Sequence, residues 1–374
     1  MGAERVALVH DWLVSMGGAE QVLLELAALY PGAPILTALH DPQALSADFA
    51  PLEIHPSFLQ HWPGATRRHR LLLPLMPLAF ERFDLSGFEL VISSSHACAK
   101  GIIPPPEACH LAYIHTPIRY AWDMLNDYFA HTQPSALKRL LMHPLLHYLR
   151  QWDLLNNLRI DALACNSRFV RARIWRYYRR EATVIHPPVR VPDTAPQRQP
   201  EDFYLLVSRA VPYKRLDLAI AAFSGSRRRL CVVGSGPELP ALRAQAGANI
   251  EFLGRVDNSE LAALYRQARA LIFPGLEDFG IVPVEAQAHG CPVIAYGHGG
   301  VCDSVVPDQT GVFFDEQTVN SLNAALTRFE AQHFDPLTLY RQAQQFRPEV
   351  FRQRFQDFVA EAQAEFRARL SAPC

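Results

Sequence analysis

In the second half of the chain, short apolar runs alternate with stretches whose apolar positions recur at helical spacing. "FYLLVSRA", "LDLAIAAF", "RLCVVGSG", "ELPALRAQA", "IEFLGRV", "SELAALYRQA", "ALIFPG", "PVEAQAHG" and "CPVIAYG" follow one another. Short strands of β-branched and aliphatic residues, each followed by a helix, build a parallel sheet covered on both faces, which is a doubly wound α/β domain. Asp257 and Glu260 make a capping-box pair ahead of "LAALYRQA", and Gly290 stands where the helix opened at Pro283 should stop. The first half is similar but less regular. "RVALVHDW" reads as an opening strand, "AEQVLLELAALY" as its helix, and "PILTALH", "ELVISSS", "HLAYIHT" and "DALACNS" as further strands.

Between the halves, residues 187–200 carry five prolines, which can continue neither a helix nor a central strand. The expected organisation is a first α/β domain over 1–186, a second over 187–348 and a final helix over 349–374. That helix sets Phe351, Phe355, Phe358 and Phe366 close to helical spacing, so it needs an apolar surface to cover. Residues 71–80, "LLLPLMPLAF", are too short to span a bilayer, which takes roughly 20 apolar residues, and are broken by Pro74 and Pro77. They follow "RRHR" at 67–70. Two readings stay open for this segment: a buried helix with a charged start, and a cationic, apolar stretch lying on an anionic membrane surface.

A length of 374 residues exceeds the size at which a single core stops growing, in keeping with two domains. With 49% hydrophobic and 20% charged residues the chain is globular, and its net charge of -1 gives no reason to expect a nucleic-acid partner. Seven cysteines, from Cys98 to Cys374, include no C-x-x-C pair and fit neither a disulfide framework nor a zinc site. A reducing cytoplasm suits them. The opening "MGAERVALVH" enters a strand pattern directly, so no signal peptide is expected. Only Lys100, Lys138 and Lys214 are lysines; every other basic side chain besides histidine is arginine.

Open parallel sheets bind ligands beyond the carboxyl ends of their strands. "ALIFPG" therefore delivers Gly275 through Val282 to the working edge of the second domain, and the following helix aims free N–H groups and its positive dipole end there, a setting for a diphosphate. Gly280 leaves room for a ligand to approach the backbone. Glu277, on the loop, can accept hydrogen bonds from a hexose; Glu285, expected in the first helical turn, can reach a ribose. A single glutamate at either place ordinarily only complements the dipole or meets solvent, and it is the complete stretch that favours a ligand. "SRAVPYKR" sets Arg209 and Lys214 just past the first strand of the same domain, where two cations can neutralise a departing diphosphate. No D-x-D occurs, which weakens the case for a metal held by paired carboxylates.

In the first domain, "HDWLVSMGGAEQVL" places Gly17 and Gly18 between strand and helix, either as a turn that touches a phosphate or hexose or as a tight turn alone. The third glycine of a dinucleotide fingerprint is missing here and in "GSGPE" at 234–238, which disfavours a dehydrogenase. His115, in "YIHTPIRYAWD", and Asp11 each follow a strand, where they can meet a sugar or its acceptor; a structural role is the ordinary alternative.

Taken in order, "MGGAEQVL", "CNSRFVRARI", "VIHPPV", "LLVSRAVPYKRLDLAIAAF", "VVGSGPEL", "FLGRV", "EDFGIVPVEAQAHGCPVIA" and "GGVCDSVV" resemble the retaining, nucleotide-sugar-dependent glycosyltransferases of family 4, which have the GT-B fold. The resemblance implies two Rossmann-like domains facing across a cleft, the first binding the acceptor and the second the nucleotide sugar, with the last helix crossing back to the first. It also implies that Glu277 contacts donor-hexose hydroxyls and that the backbone from Phe279 through Gly280 and Ile281 to Val282 meets sugar and diphosphate. Glu285 would bind ribose, Arg209 and Lys214 the diphosphate, and the base would rest near Arg255 and Val256. His115 would sit near the reacting sugar, and Gly17 with Gly18 would form the glycine loop. "HTPIRYAWD" is similar to mannosyltransferases of bacterial surface polysaccharide. That likeness implies mannose from GDP-mannose as the donated sugar. The expected reaction is its transfer to a glycan or lipid-linked acceptor without a metal or other cofactor, in the cytoplasm or, if the segment after 67–70 lies on a membrane, at its inner face. A nucleotide-sugar 2-epimerase and a non-catalytic binding subunit of the same fold are the alternatives.

Overall fold

The structure, a computed structural model, describes residues 5–123 and 135–371. The first four residues of the opening stretch and Cys374 lie outside them. The chain divides into two units, Met1–Pro188 with Phe351–Cys374, and Val189–Val350.

In the first unit, β1 (Val6–His10), β2 (Ile35–Thr37), β3 (Ile54–Pro56), β4 (Leu90–Ser95), β5 (Cys109–Ile114), β6 (Ala162–Cys165) and β7 (Thr183–Val184) pair in parallel in the order β3-β2-β1-β4-β5-β6-β7. The second unit repeats the plan with β8 (Tyr204–Val207), β9 (Leu230–Val233), β10 (Ile250–Gly254), β11 (Leu271–Phe273), β12 (Val293–Tyr296) and β13 (Gly311–Phe314), ordered β10-β9-β8-β11-β12-β13. The order reverses between β1 and β4 in one sheet and between β8 and β11 in the other, and an open parallel sheet leaves a ligand crevice at such a reversal. Both sheets are Rossmann-like, as the alternating pattern leads one to expect.

Burial explains the unbroken apolar runs. Leu205, Leu271 and Val293 pack on one face of the second sheet, and Tyr204, Leu206, Ile272 and Ile294 on the other. The final helix, Pro348–Leu370, packs within the first unit, where Phe351, Phe355 and Phe358 are buried with Leu8, Leu23, Leu26 and Tyr113. Each such phenylalanine contributes about 1.5–3 kcal/mol. Arg352 adds a 2.6 Å ion pair to Glu25 on the helix Gly18–Leu29.

The proline-rich stretch after 187 forms no helix or strand before β8. Distant groups satisfy its backbone instead: the Pro192 carbonyl accepts from the Tyr340 hydroxyl at 2.7 Å and from Arg347 at 2.8 Å, while Val189 N–H donates to the Phe346 carbonyl at 2.8 Å. β3, β7 and β13 were not expected from the pattern; the first two span three and two residues and exist through pairing with a longer neighbour. One boundary is corrected. The helix expected to open at Pro283 opens at Ile281, because Gly280 at φ 89° turns the chain into it. Glu285 is thus the fifth helical residue, in the second turn and not the first.

Candidate functional site

At the reversal of the second sheet, two loops meet. One runs from Ser208 past β8 through the short 3-10 turn Pro212–Lys214, and the other from Pro274 past β11 to the helix Ile281–Ala288. Gly275 permits their contact, since a Cβ there would lie 2.9 Å from the Lys214 Cα. From the opposite side Gly300 presses on the second loop. A Cβ on it would stand 2.1 Å from the Asp278 carbonyl oxygen, and its N–H donates to the Glu277 backbone carbonyl at 2.8 Å.

This clamp aligns the chemistry. The Lys214 ammonium and the Glu277 carboxylate form an ion pair, each side chain 17% exposed. Lys214 also stands 5.3 Å over the Tyr213 ring. No side chain caps the helix that opens at Ile281, so its first backbone donors point to this edge without an internal acceptor. Phe279 and Gly280 are buried, and Ile281 and Val282 partly so. Arg209 is exposed, and its guanidinium makes no hydrogen bond or ion pair among the described residues. An exposed, unpaired cation, a half-enclosed ion pair and uncapped N–H groups on one edge suit a ligand with both negative charge and hydroxyls.

Farther along the same edge, Arg255 donates through Nε to Ser235 Oγ at 2.9 Å, with Val256 beside it partly buried. The glycines of "GSGPE" have a packing reason: a Cβ on Gly234 or Gly236 would lie 1.9 Å from the Ser208 oxygen or 2.3 Å from the Ala210 oxygen. Glu285 is partly buried, and its Oε2 accepts from the Tyr265 hydroxyl at 3.1 Å. Burial lifts its carboxyl above the usual glutamate value, and the Tyr265 bond opposes this only in part. Its Oε1 has no partner among the described residues and remains available to a hydroxyl donor. Sequence reasoning passed over Tyr265; its signal was a tyrosine on the helix Asn258–Gln267 whose apolar face meets the sheet.

The first unit gathers its polar groups at the carboxyl ends of β1, β4 and β5, the three central strands. His115 is 9% exposed, and its Nε2 lies 2.8 Å from Ser94 Oγ. The same hydroxyl lies 3.1 Å from His10 Nδ1, and His10 Nε2 stands 3.8 Å from Glu20 Oε1. A serine carries one hydroxyl proton, so Ser94 donates to one ring and accepts from the other. Burial, then the nearby His96 and His10, holds the pKa of His115 well below the usual histidine value, so the ring is neutral at pH 7. His10, Ser94 and Glu20 were not singled out in the sequence, although three consecutive serines in a buried strand, Ser93–Ser95, were a visible signal. Gly17 is in extended backbone, and a Cβ there would meet only the end of the Glu20 side chain, with Oε2 at 3.1 Å; Gly18 is the first helical residue.

Asp11 departs from the expectation of a sugar or acceptor contact. Its carboxylate is fully buried, and both oxygens are already taken by backbone N–H groups: Oδ2 by His96 at 2.5 Å and Ala97 at 2.9 Å, Oδ1 by Cys98 at 2.5 Å and Ala99 at 2.7 Å. Burial pushes this carboxyl up, but His96, His10 and the N–H donors outweigh it and its pKa lies below the ordinary value. Asp11 ties the end of β1 to the turn after β4. Lys100 has a similar task, being buried in an ion pair with Asp153, which also accepts from Trp122 at 2.7 Å and Tyr178 at 2.8 Å. No cluster of three or more metal-ligating side chains occurs among the described residues.

Two parallel Rossmann-like sheets in one chain, each with polar residues at its point of strand reversal, define the class: this is the GT-B fold. The sucrose-phosphate synthase of Thermosynechococcus elongatus shares it over 97% of this chain and 100% of that one, with a TM-score of 0.72 at 19% identity. So does Anabaena HepE, solved in complex with UDP, over 96% and 100% with a TM-score of 0.66 at 17% identity. More particularly, residues 193–346, which lie within the second unit, match the family model described as glycosyl transferases group 1. A GDP-mannose-dependent alpha-(1-6)-phosphatidylinositol monomannoside mannosyltransferase of Mycobacterium tuberculosis is 34% identical over 138 residues, 32% of this chain and 36% of that one. Its Mycolicibacterium smegmatis counterpart is 29% identical over 44% of this chain and 52% of that one. The matches thus span about a third to a half of the length of these curated relatives.

Proposed function

We propose that this protein is a retaining hexosyltransferase that moves mannose from GDP-mannose to a hydroxyl of a glycan or lipid-linked oligosaccharide. The second unit holds the donor and the first the acceptor. The observation that carries the reading is the convergence, on one sheet edge, of the Lys214–Glu277 pair, Arg209 and the uncapped helix at Ile281. The mannosyltransferase relatives support the choice of sugar and base.

In the proposed reaction the bond between the anomeric carbon and the diphosphate oxygen breaks, its electron pair leaving with the phosphate. The acceptor oxygen forms the new bond on the same face, and its proton passes to the departing phosphate oxygen. Lys214 and Arg209 neutralise the charge gathering on the diphosphate together with the helix N–H groups, which lowers the barrier because this charge is greatest late in the step. Glu277 releases Lys214 to the phosphate and turns to the hexose hydroxyls. Glu285 takes a ribose hydroxyl on Oε1, and His115, neutral, offers a hydrogen bond to the sugar. The base rests by Arg255 and Val256. The reaction needs no metal or other cofactor and takes place in the cytoplasm.

A thermal-shift panel of GDP-, UDP-, ADP- and TDP-sugars tests the donor, since a bound ligand raises apparent stability. Selective stabilisation by GDP-mannose and acceptor-dependent release of GDP are expected. Isomerisation of the donor without acceptor would replace this reading with the epimerase, and donor binding without turnover on any glycan acceptor would replace it with a binding subunit.

A further inference from the structure

The helical segment from His69 to Glu81, a 3-10 turn running into an α-helix, is apolar on two opposite faces. Leu72, Met76, Ala79 and Phe80 are buried in the first unit. Leu71, Leu75 and Leu78, spaced to share the other face, are 74%, 37% and 48% exposed. A helix apolar all round is ordinarily enclosed, and here half of it is not. Phe58 and Trp62, just upstream, enlarge the patch at 41% and 58% exposure, and the Arg82 guanidinium lies 5.3 Å over the Phe58 ring.

Charge says what covers this face. Arg67, Arg68 and Arg70 are exposed at the head of the helix and form no ion pair among the described residues. The one acid within residues 57–82, Glu81, is engaged by the Trp152 ring N–H at 2.7 Å and by Arg159 at 3.7 Å. The segment is thus cationic in a chain whose net charge is -1. We infer that residues 58–82 seat the first unit on an anionic lipid bilayer, the leucines and Trp62 entering the acyl boundary and the arginines meeting the headgroups. No helix among the described residues is long and apolar enough to cross a membrane, so this is attachment in the plane of the surface. The same segment leads to the polar cluster: the His69 ring lies tilted against Trp12 at 5.3 Å, and Trp12 meets His96 edge-on at 4.5 Å. Surface attachment therefore sets that cluster close to lipid headgroups, where a lipid-linked acceptor would be presented.

The test is vesicle flotation of the full chain without donor or acceptor, so its outcome is independent of the proposed chemistry. Vesicles of phosphatidylcholine with about 30 mol% phosphatidylglycerol should carry the protein, and phosphatidylcholine alone should not. The triple variant Arg67→Glu, Arg68→Glu, Arg70→Glu should lower partitioning on the order of a hundredfold, and Leu71→Ser, Leu75→Ser, Leu78→Ser should abolish it. Both variants should keep the parent's tryptophan emission and donor thermal shift. The arginine variant alters only exposed side chains, so it decides the matter should the leucine variant misfold. Equal binding to both vesicle types, or none to either, overturns the inference. So does a doubled mass in light scattering that the leucine variant restores to a monomer, because a second copy of the chain would then occupy the face.

Discussion

Asp11→Asn separates a structural from a substrate-binding aspartate. Each Asp11 oxygen accepts two backbone N–H groups in a fully buried site. Asparagine keeps one oxygen and turns an NH2 toward the other two donors, leaving both unpaired. At about 1–3 kcal/mol for each stranded donor, with the bonds to the remaining oxygen weakened by loss of its charge, the cost is roughly 3–6 kcal/mol. A domain has about 5–15 kcal/mol to lose. Trp12, Trp62, Trp122, Trp152 and Trp175 are the only tryptophans and all belong to the first unit, so emission excited through tryptophan follows that unit alone. With a urea slope of about 2 kcal/mol per molar, the midpoint should fall by roughly 1.5–3 M. A fall of less than about 0.5 M, accompanied by a weakened acceptor KM, would refute the reasoning and return Asp11 to the substrate.

Lys214→Ala should lower turnover by about a hundredfold or more by removing a cation from the leaving group, measured as acceptor-dependent nucleotide release; wild-type turnover would dismiss the role. Glu285→Ala should raise the donor KM, and Tyr265→Phe should do so to a smaller extent. Because burial raises the Glu285 carboxyl, donor affinity should weaken as pH falls through that raised value, a dependence the alanine variant should lack. For the first unit, burial followed by the nearby Arg159 and Lys100 charges depresses His110 to about 3, despite its bond to the Arg159 carbonyl. The unfolded chain then takes up the proton first, so the stability contributed by neutral His110 is complete above about pH 6.5 and is lost progressively as pH falls toward 3, at up to about 1.4 kcal/mol per pH unit. Tryptophan-detected urea melts at several pH values, with His110→Gln giving a shallower slope, check this.

Local rules made much of this protein readable. Period and burial decided the strands, since a strand covered on both faces is mostly apolar, and β1, β4 and β5 are buried along their whole length with only His10, Ser93–Ser95 and His110 as polar residues. Gly280 and Gly290, both at positive φ, and Asp257 at a helix start mark boundaries that depend on neighbours in the chain. The stretch from Gly275 to Val282 was legible for the same reason: strand, turn and helix are contiguous there, although the helix begins two residues earlier than the pattern suggested.

What the sequence could not determine are the contacts between distant segments. Nothing local pairs Lys214 with Glu277, brings Tyr265 to Glu285, or links Glu20, His10, Ser94 and His115, because side-chain partners across parallel strands depend on sheet order and register. Asp11 makes the point most directly. A carboxylate after a strand looks the same in the sequence whether it faces ligand or backbone, and only the fold, by bringing four N–H groups onto it, chose between them. Likewise composition left residues 71–80 open to burial or exposure, and packing divided them: one apolar face goes to the core while the other stays uncovered, because the segment runs along the outside of a sheet that can cover only one of its sides.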